Sequence, residues 1–489
     1  MMTTERPVQN ALFTAPQDLG ARIPQDHLLR QISQTLDLSF VNQAVEDKYG
    51  AVGHESIPPT RIMKLLLLLV IYNVSGERAL FRDLPMRIDW LWFLGYELSS
   101  PLPNHSILSK ARKRWGAEVF YRLFARTIEM CMRAGLVDGR DMLADSSLID
   151  ANASVDSLFR VAEQVAQSAM DRLDEPEDQK AEAATSSDQE PAPEKEPKYR
   201  SQTDPDATGA KRRGETRVRP RYQTHRAVDS EHGVITATTV GPGHQNEAHR
   251  LEELVLEHTK HTGLRVRSVT ADSKYGTADN LEYCEWNYVE AYISPYRNNY
   301  TRPKEGKFTE CCFRYDATED CYICPAGQRL TRHSFRAEKD SYRYMAPANV
   351  CGTCTLRAFC TTSKVARSIH RPLRAPILDR ASARLRTPVG REHRKRRRWM
   401  MEGSFAHSVR LGYKRARARG MVNMKIQDYL VAAVQNVLIL IRAKARMLTK
   451  IARNGFLGAV IYGRAMFARL QAVGSLFHRP QPTSAPAVA

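Results

Sequence analysis

Three acidic residues, Asp145, Asp272 and Glu402, stand where their neighbours argue against ordinary surface charge. Asp145 interrupts the apolar run Met142-Leu143-Ala144-Asp145-Ser146-Ser147-Leu148-Ile149, and a lone carboxylate on a buried strand needs a cation. Asp272 closes Leu264-Arg265-Val266-Arg267-Ser268-Val269-Thr270-Ala271 and is followed by Ser273-Lys274-Tyr275-Gly276 and a helix start at Thr277. That spacing puts it at the carboxyl end of a strand, where open α/β sheets present their ligands. Glu402 belongs to a helical stretch from Glu392 to Leu411 crowded with Arg and Lys. Three carboxylates are enough to hold two divalent cations roughly 3.5–4 Å apart, the arrangement used for in-line displacement at a phosphodiester, and hard oxygen ligands suit Mg²⁺ or Mn²⁺. Most Asp and Glu are solvated or cap helices, a plain reading that fits Glu402 better than either aspartate.

These residues lie far apart in the chain, so only a fold can bring them together. Tyr222 to Asp229 and Val234 to Val240 flank Ser230-Glu231-His232-Gly233 and predict a β-hairpin. A helix over 246–259, the strand ending at Asp272, a helix from Thr277 to Trp286 and a strand over 289–293 follow. The order strand, hairpin, helix, strand, helix, strand is that of a mixed α/β sheet spanning 136–160 and 216–295, the order expected of a ribonuclease H-like nuclease core.

Ahead of the sheet, residues 26–135 show helical periodicity, as in Leu28-Leu29-Ile32-Leu36 and Phe120-Leu123-Phe124-Ile128, and predict an all-α domain after a flexible N-terminus over 1–25. Within it, the stretch from Pro103 to Arg114 is a capped helix whose basic end, with Lys110 and Arg112, suits DNA contact; a solvated terminus with cations at the C-terminal end of the helix dipole fits it equally well. Residues 171–200 hold ten acidic and five basic residues with four prolines, so 161–215 is predicted to be a disordered linker, acidic and then basic. Residues 391–450 form a basic helix followed by a core helix, and 451–489 a tail.

Charge narrows the partner. A net charge of +19 and a pI near 9.6 point to a polyanion, with nucleic acid the default and a ribosomal or anionic membrane surface weaker options. From Arg391 to Gly420 there are eleven Arg or Lys and two Glu, with Trp399, Phe405 and Tyr413 interleaved. A solvated helix face balances its charges and this one does not, so it reads as a phosphate-binding surface. The apolar run over 65–72 is too short for a bilayer, and that over 426–441 is interrupted by Gln427, Asp428, Gln435 and Asn436. No secretory signal is evident, and a cytoplasmic protein with reduced thiols, away from membranes, is expected.

The segments Ala144-Asp145-Ser146-Ser147-Leu148-Ile149-Asp150-Ala151, Thr203-Asp204-Pro205-Asp206-Ala207, Tyr222-Gln223-Thr224-His225, Thr270-Ala271-Asp272-Ser273-Lys274-Tyr275-Gly276 and Glu402-Gly403-Ser404-Phe405-Ala406 occur in this order. Together they resemble the DDE transposases of bacterial insertion sequences, a likeness covering about Gln25 to Arg446. The resemblance implies a ribonuclease H-like core, a helical N-terminal domain that helps recognise element ends, and Asp145, Asp272 and Glu402 as the metal-binding triad. It also implies double-stranded DNA as substrate, hydrolysis at the element end, attack by the freed 3′-hydroxyl on target DNA, and a homodimer on paired ends. Relatives place a Tyr three residues before an Arg, that Arg four before the Glu, and a Lys seven after it. This chain has Lys395, Arg398, Glu402 and Val409, so only Arg398 and Glu402 match, and Arg410, Lys414 or Arg415 are left to replace the missing phosphate contact.

Cys321, Cys324, Cys351, Cys354 and Cys360 cluster in the polar stretch 296–390 as Cys-x-x-Cys, a gap, Cys-x-x-Cys and one more. Paired knuckles in a reduced protein read as a structural, zinc-ribbon-like Zn²⁺ site. Cys324, Cys351, Cys354 and Cys360 are the expected ligands, with Cys321 the substitute for Cys360; free buried thiols are the plainer reading. Two other functions remain open: a nuclease with the same triad and no strand transfer, and a non-catalytic or decayed zinc-containing DNA-binding protein.

Overall fold

A stripe of apolar residues at helical spacing organises the first part of the chain. In the helix Glu118–Arg133, Val119, Phe120, Leu123, Phe124, Thr127, Ile128 and Cys131 lie on one face and are all buried. The helix Pro59–Ile71 starts with Pro at its first turn and is apolar nearly all round, so it runs through the middle of the core. The computed structural model describes residues 18–50, 56–163, 196–296 and 307–476. Its seven N-terminal α-helices, from Leu28–Thr35 to Glu118–Arg133, close on a helix from the far end of the chain, Met421–Leu476. That helix runs well past residue 450, where the sequence led us to expect a tail. Its segment Met421–Met447 is long and apolar enough to cross a membrane, but 78% of the apolar window is buried inside the protein.

The sheet joins eight strands: β1 (Asp141–Asp150), β2 (Leu158–Arg160), β3 (Tyr199–Ser201), β4 (Thr208–Ala210), β5 (Arg219–Asp229), β6 (Ile235–Pro242), β7 (Ser268–Ala271) and β8 (Glu290–Ile293). They run in the order β2-β3-β4-β5-β1-β7-β8, with β6 also paired to β5. The pairs β1–β5 and β5–β6 are antiparallel, whereas β1–β7 and β7–β8 are parallel. The helices Leu251–Thr262 and Ala278–Trp286 make the connections that parallel strands require. They cover one face, over Met142, Ala144, Val269 and Ala271. The N-terminal helices and Met421–Leu476 cover the other, over Leu143, Ile149, Val228 and Ile235.

Residues 196–215, expected within the linker, contribute β3 and β4 to the sheet; the expected disorder of 171–195 falls outside the described residues. Between β3 and β4, Asp204 accepts hydrogen bonds from the Tyr222 hydroxyl (2.7 Å) and the Gly420 amide (3.0 Å), and Asp206 from the Met421 amide (2.7 Å). The acidic turn thus caps the Met421–Leu476 helix, where a carboxylate satisfies free amides and complements the dipole. Asp204→Ala is expected to cost about 1–2 kcal/mol, read as a lower urea midpoint; an unchanged midpoint would remove this role.

A second sheet occupies the Cys-rich stretch: β9 (Arg314–Asp316), β10 (Cys321–Ile323), β11 (Arg329–Arg336), β12 (Ser341–Met345) and β13 (Ser368–Pro372), in the order β13-β12-β11-β10-β9. It buries Phe313, Leu330, Tyr344 and Ile369, so this segment, although polar in sequence, builds a small core of its own. The next helix, Ala375–Arg386, returns to the main sheet, where Ala381 packs with Leu281 and Ile293 and Arg380 pairs with Glu285 at 2.7 Å. The insertion therefore ends before residue 375, not at 390. The basic helix Pro388–Arg410 follows and lies across the face that carries Leu143.

Candidate active site

Parallel pairing sets Asp141, Met142 and Leu143 of β1 opposite Ser268, Val269 and Thr270 of β7. Continued along both chains, that register puts Asp145 level with Asp272, and the alternation of side chains puts both on the face beneath the basic helix. Asp272 follows β7 directly and its carboxylate accepts from the Ser273 amide at 2.7 Å, starting a short 3-10 turn. Asp145 accepts from the Ser146 amide at 2.9 Å.

The basic helix presents one stripe to this face. His393 stacks on Tyr292 at 3.9 Å and meets the Thr270 hydroxyl at 3.2 Å; Met400 and Met401 are buried; Ser408 binds Arg226 of β5. On the same stripe the Arg397 guanidinium lies 2.7 Å from the Asp145 carboxylate, with the two side chains only 19% and 22% exposed. Burial is the main reason the Asp145 carboxyl sits above the ordinary aspartate range; Arg397 opposes that shift, and Asp272 and Glu247 add to it.

A second cation approaches from the strand end. The Lys274 ammonium bonds the mostly buried Glu247 at 2.5 Å; burial disfavours its charge, but Glu247, with Asp272 and Asp145 behind it, holds its pKa above the usual lysine range. Beneath them His225 touches the Tyr275 hydroxyl at 3.1 Å, and burial, with Arg250 and Lys274 nearby, holds it down to about 3 and so neutral.

Not every expected residue joins this cluster. Glu402 is exposed, on the flank about 100° round from buried Met401. Among the described residues no three His, Cys, Asp or Glu side chains are disposed to hold a metal ion. Arg398, Arg410, Lys414, Arg415 and Lys110 are exposed, while the Lys414 carbonyl and the Ala416 amide extend the end of β1 through Asp150. Arg112 needs correcting as a DNA contact: its guanidinium is taken up by Glu77 and by Asn423 (3.2 Å), which ties the N-terminal helices to Met421–Leu476. The sequence reading missed Arg397, Glu247 and Lys274. Arg397 sits in an unbroken run of five basic residues, and only its spacing of three and four from Met400 and Met401 marks it as inward-facing.

In the smaller sheet the Cys360 thiol is pushed up first by burial, with Cys351, Cys324 and Cys354 close enough to add to the shift. The Gln328 amide points at the Cys324 sulfur (3.3 Å) and the Arg367 amide at the Cys351 sulfur (3.4 Å). Gly327, at φ +75°, makes the tight turn after Cys324 that such a knuckle requires. Cys321 is buried in β10 and is not among the neighbours that shift Cys360.

Two family models match the chain. Residues 17–114 match the family described as Transposase domain (DUF772), and residues 323–441 match Transposase DDE domain. Both matches are to transposase domains, and they support a DDE transposase of the insertion-sequence type. The second match includes the Cys-rich sheet from the end of β10 onward, the basic helix and Glu402, whereas neither includes Asp145 or Asp272, whose pairing rests on the β1–β7 register. No curated protein matches the chain.

Proposed function

We propose that the transposase cleaves DNA at the ends of its element and transfers the freed 3′-hydroxyl to target DNA, on a ribonuclease H-like core whose metal ligands are Asp145, Asp272 and Glu402. The observation that carries this reading is the level placement of Asp145 and Asp272 on adjacent parallel strands beneath a cationic helix. The strand order β6-β5-β1-β7-β8, three antiparallel strands and then two parallel ones, supports the ribonuclease H-like assignment.

Two in-register carboxylates with hard oxygens fit a divalent cation such as Mg²⁺ or Mn²⁺, and Glu402, exposed on the flank of the basic helix, would be the third ligand. When bound, a pair of such ions activates the attacking oxygen and stabilises the leaving one. Exposed Arg398, Arg410, Lys414, Arg415 and Lys110 bind backbone phosphates, which fixes the duplex without reading its sequence. The transposase acts as a homodimer on paired element ends in the bacterial cytoplasm. The test is a labelled duplex carrying the gene's own flanking DNA, incubated with Mg²⁺ or with EDTA. Metal-dependent nicking followed by joining to a second duplex is the expected result; nicking without joining leaves a nuclease, and binding alone a DNA-binding protein.

For the insertion we propose a structural Zn²⁺ that would draw together Cys324, Cys351, Cys354 and Cys360, which are neighbours but do not form a ready-made site without the ion. Amide-to-sulfur hydrogen bonds of the kind at Cys324 and Cys351 are those that orient and stabilise metal-bound thiolates. Purified protein is expected to carry about one zinc per chain, and Cys351→Ser with Cys354→Ser to lose it together with thermal stability. Zinc-free protein that melts at the same temperature would overturn the assignment.

A further inference from the structure

Arg397 meets the Asp145 carboxylate through one terminal nitrogen, while its Nε is buried without a hydrogen-bond partner. An unmatched buried donor on a guanidinium is unfavourable, so this fork is only half satisfied where it stands. The carboxylate it holds is also pressed by the negative charges of Asp272 and Glu247, which a cation in this position relieves. The same helix carries Glu402 on its exposed flank, so the rotation that holds Arg397 on Asp145 is the one that keeps Glu402 away.

We propose that Arg397 is the stand-in cation of the DNA-free transposase: it occupies Asp145 in place of the metal and moves onto a DNA phosphate when the element end docks, leaving the carboxylate free for the ion. This rests on the proposed metal role of Asp145 and Asp272. A guanidinium suits the exchange because its planar fork matches a carboxylate and a phosphate equally well and never loses its charge. Arg397 is thus a residue that sets when the metal site forms, distinct from exposed Arg398 beside it.

The test is Mn²⁺ binding to the full chain without DNA, followed by electron paramagnetic resonance. Arg397→Gln is expected to bind Mn²⁺ about tenfold more tightly than the wild type, since a positive charge a few ångströms from the ion has been removed. Arg397→Lys, which keeps the charge, should stay near the wild type. An uncleavable duplex should shrink the gap between wild type and Arg397→Gln. Unchanged or weaker Mn²⁺ binding by Arg397→Gln, or a gap that DNA leaves intact, would overturn the proposal. Asp145→Asn and Asp272→Ala separate the two layers: if both bind Mn²⁺ like the wild type, the metal reading itself fails and the stand-in role with it. If both lose the ion while Arg397→Gln gains nothing, only the role of Arg397 fails.

Discussion

Asp272→Ala and Asp145→Asn are each expected to abolish strand cleavage while the duplex stays bound. We expect the nicking rate to fall by roughly a thousandfold or more, because losing one preorganised charge-stabilising group already costs on the order of a hundred- to a thousandfold, and each variant removes a proposed metal ligand. Binding should change little, since a carboxylate offers no positive charge to a phosphate and the exposed cations of the basic helix are untouched. Asp145→Asn is the cleaner variant: it keeps the side-chain shape and an oxygen for the Ser146 amide, which bonds at 2.9 Å in the wild type. Asp272→Ala also deletes the cap of a short 3-10 turn, a modest loss of stability. A gel assay for nicks and a filter assay for binding, run on the same preparation, decide the matter; variants that still nick, or that lose binding as well, would remove these residues from catalysis.

Asp428→Ala should be among the most destabilising single changes in the protein, at about 3–5 kcal/mol. Asp428 is 1% exposed and its partner Arg226 is fully buried. The carboxylate accepts from the Tyr413 hydroxyl and the Thr238 hydroxyl, both at 2.6 Å, from the Thr224 hydroxyl at 3.2 Å and from Arg226 at 3.5 Å. Without it, Arg226 keeps neutral contacts to Ser408 (2.5 Å) and Gln435 (2.9 Å) and the faces of Phe405 and Tyr413, with no counter-charge. A buried guanidinium left in that state carries its full desolvation cost. Urea unfolding gives the value, and the double change Arg226→Met with Asp428→Leu should recover much of the loss, because a well-packed apolar pair can replace a buried ion pair. A single variant within about 1 kcal/mol of the wild type would contradict the ion pair's weight.

The helices were the most legible part of the sequence, since the stripe Phe120, Leu123, Phe124 and Ile128 states both the element and its buried face. The strands carrying Asp145 and the hairpin were legible for a similar reason, as alternation or apolar runs ended by turn residues. β3 and β4 were not: three residues each, polar and beside an acidic stretch, they gain their order from the edge of β5 and have no local signal. The site was half legible. Asp145 and Asp272 stand out as carboxylates at apolar strands, but their pairing is a matter of register, set by β1 and β7 across a long separation. Glu402 and Arg397 share a helix so uniformly basic that charge alone hides its rotation, and only Met400, Met401 and Phe405 reveal which side faces the sheet.

One amide on the C-terminal helix fixes more than its own position. The Asn436 side chain accepts from the Ile235 amide and donates to the Ile235 carbonyl, each at 2.9 Å, so it gives β6 the two bonds that a neighbouring strand would otherwise make. An open strand border invites pairing with another chain, and here a side chain closes it. The arrangement also works as a key in a lock: apolar packing tolerates a helix that slides or rolls, but Gln427, Asp428, Gln435 and Asn436 recur on one face and find their partners at a single setting. Because Gln435 also binds the Ser404 carbonyl at 2.8 Å, that setting passes to the basic helix, so the resting position in which Arg397 meets Asp145 is held from a helix on the far side of the fold.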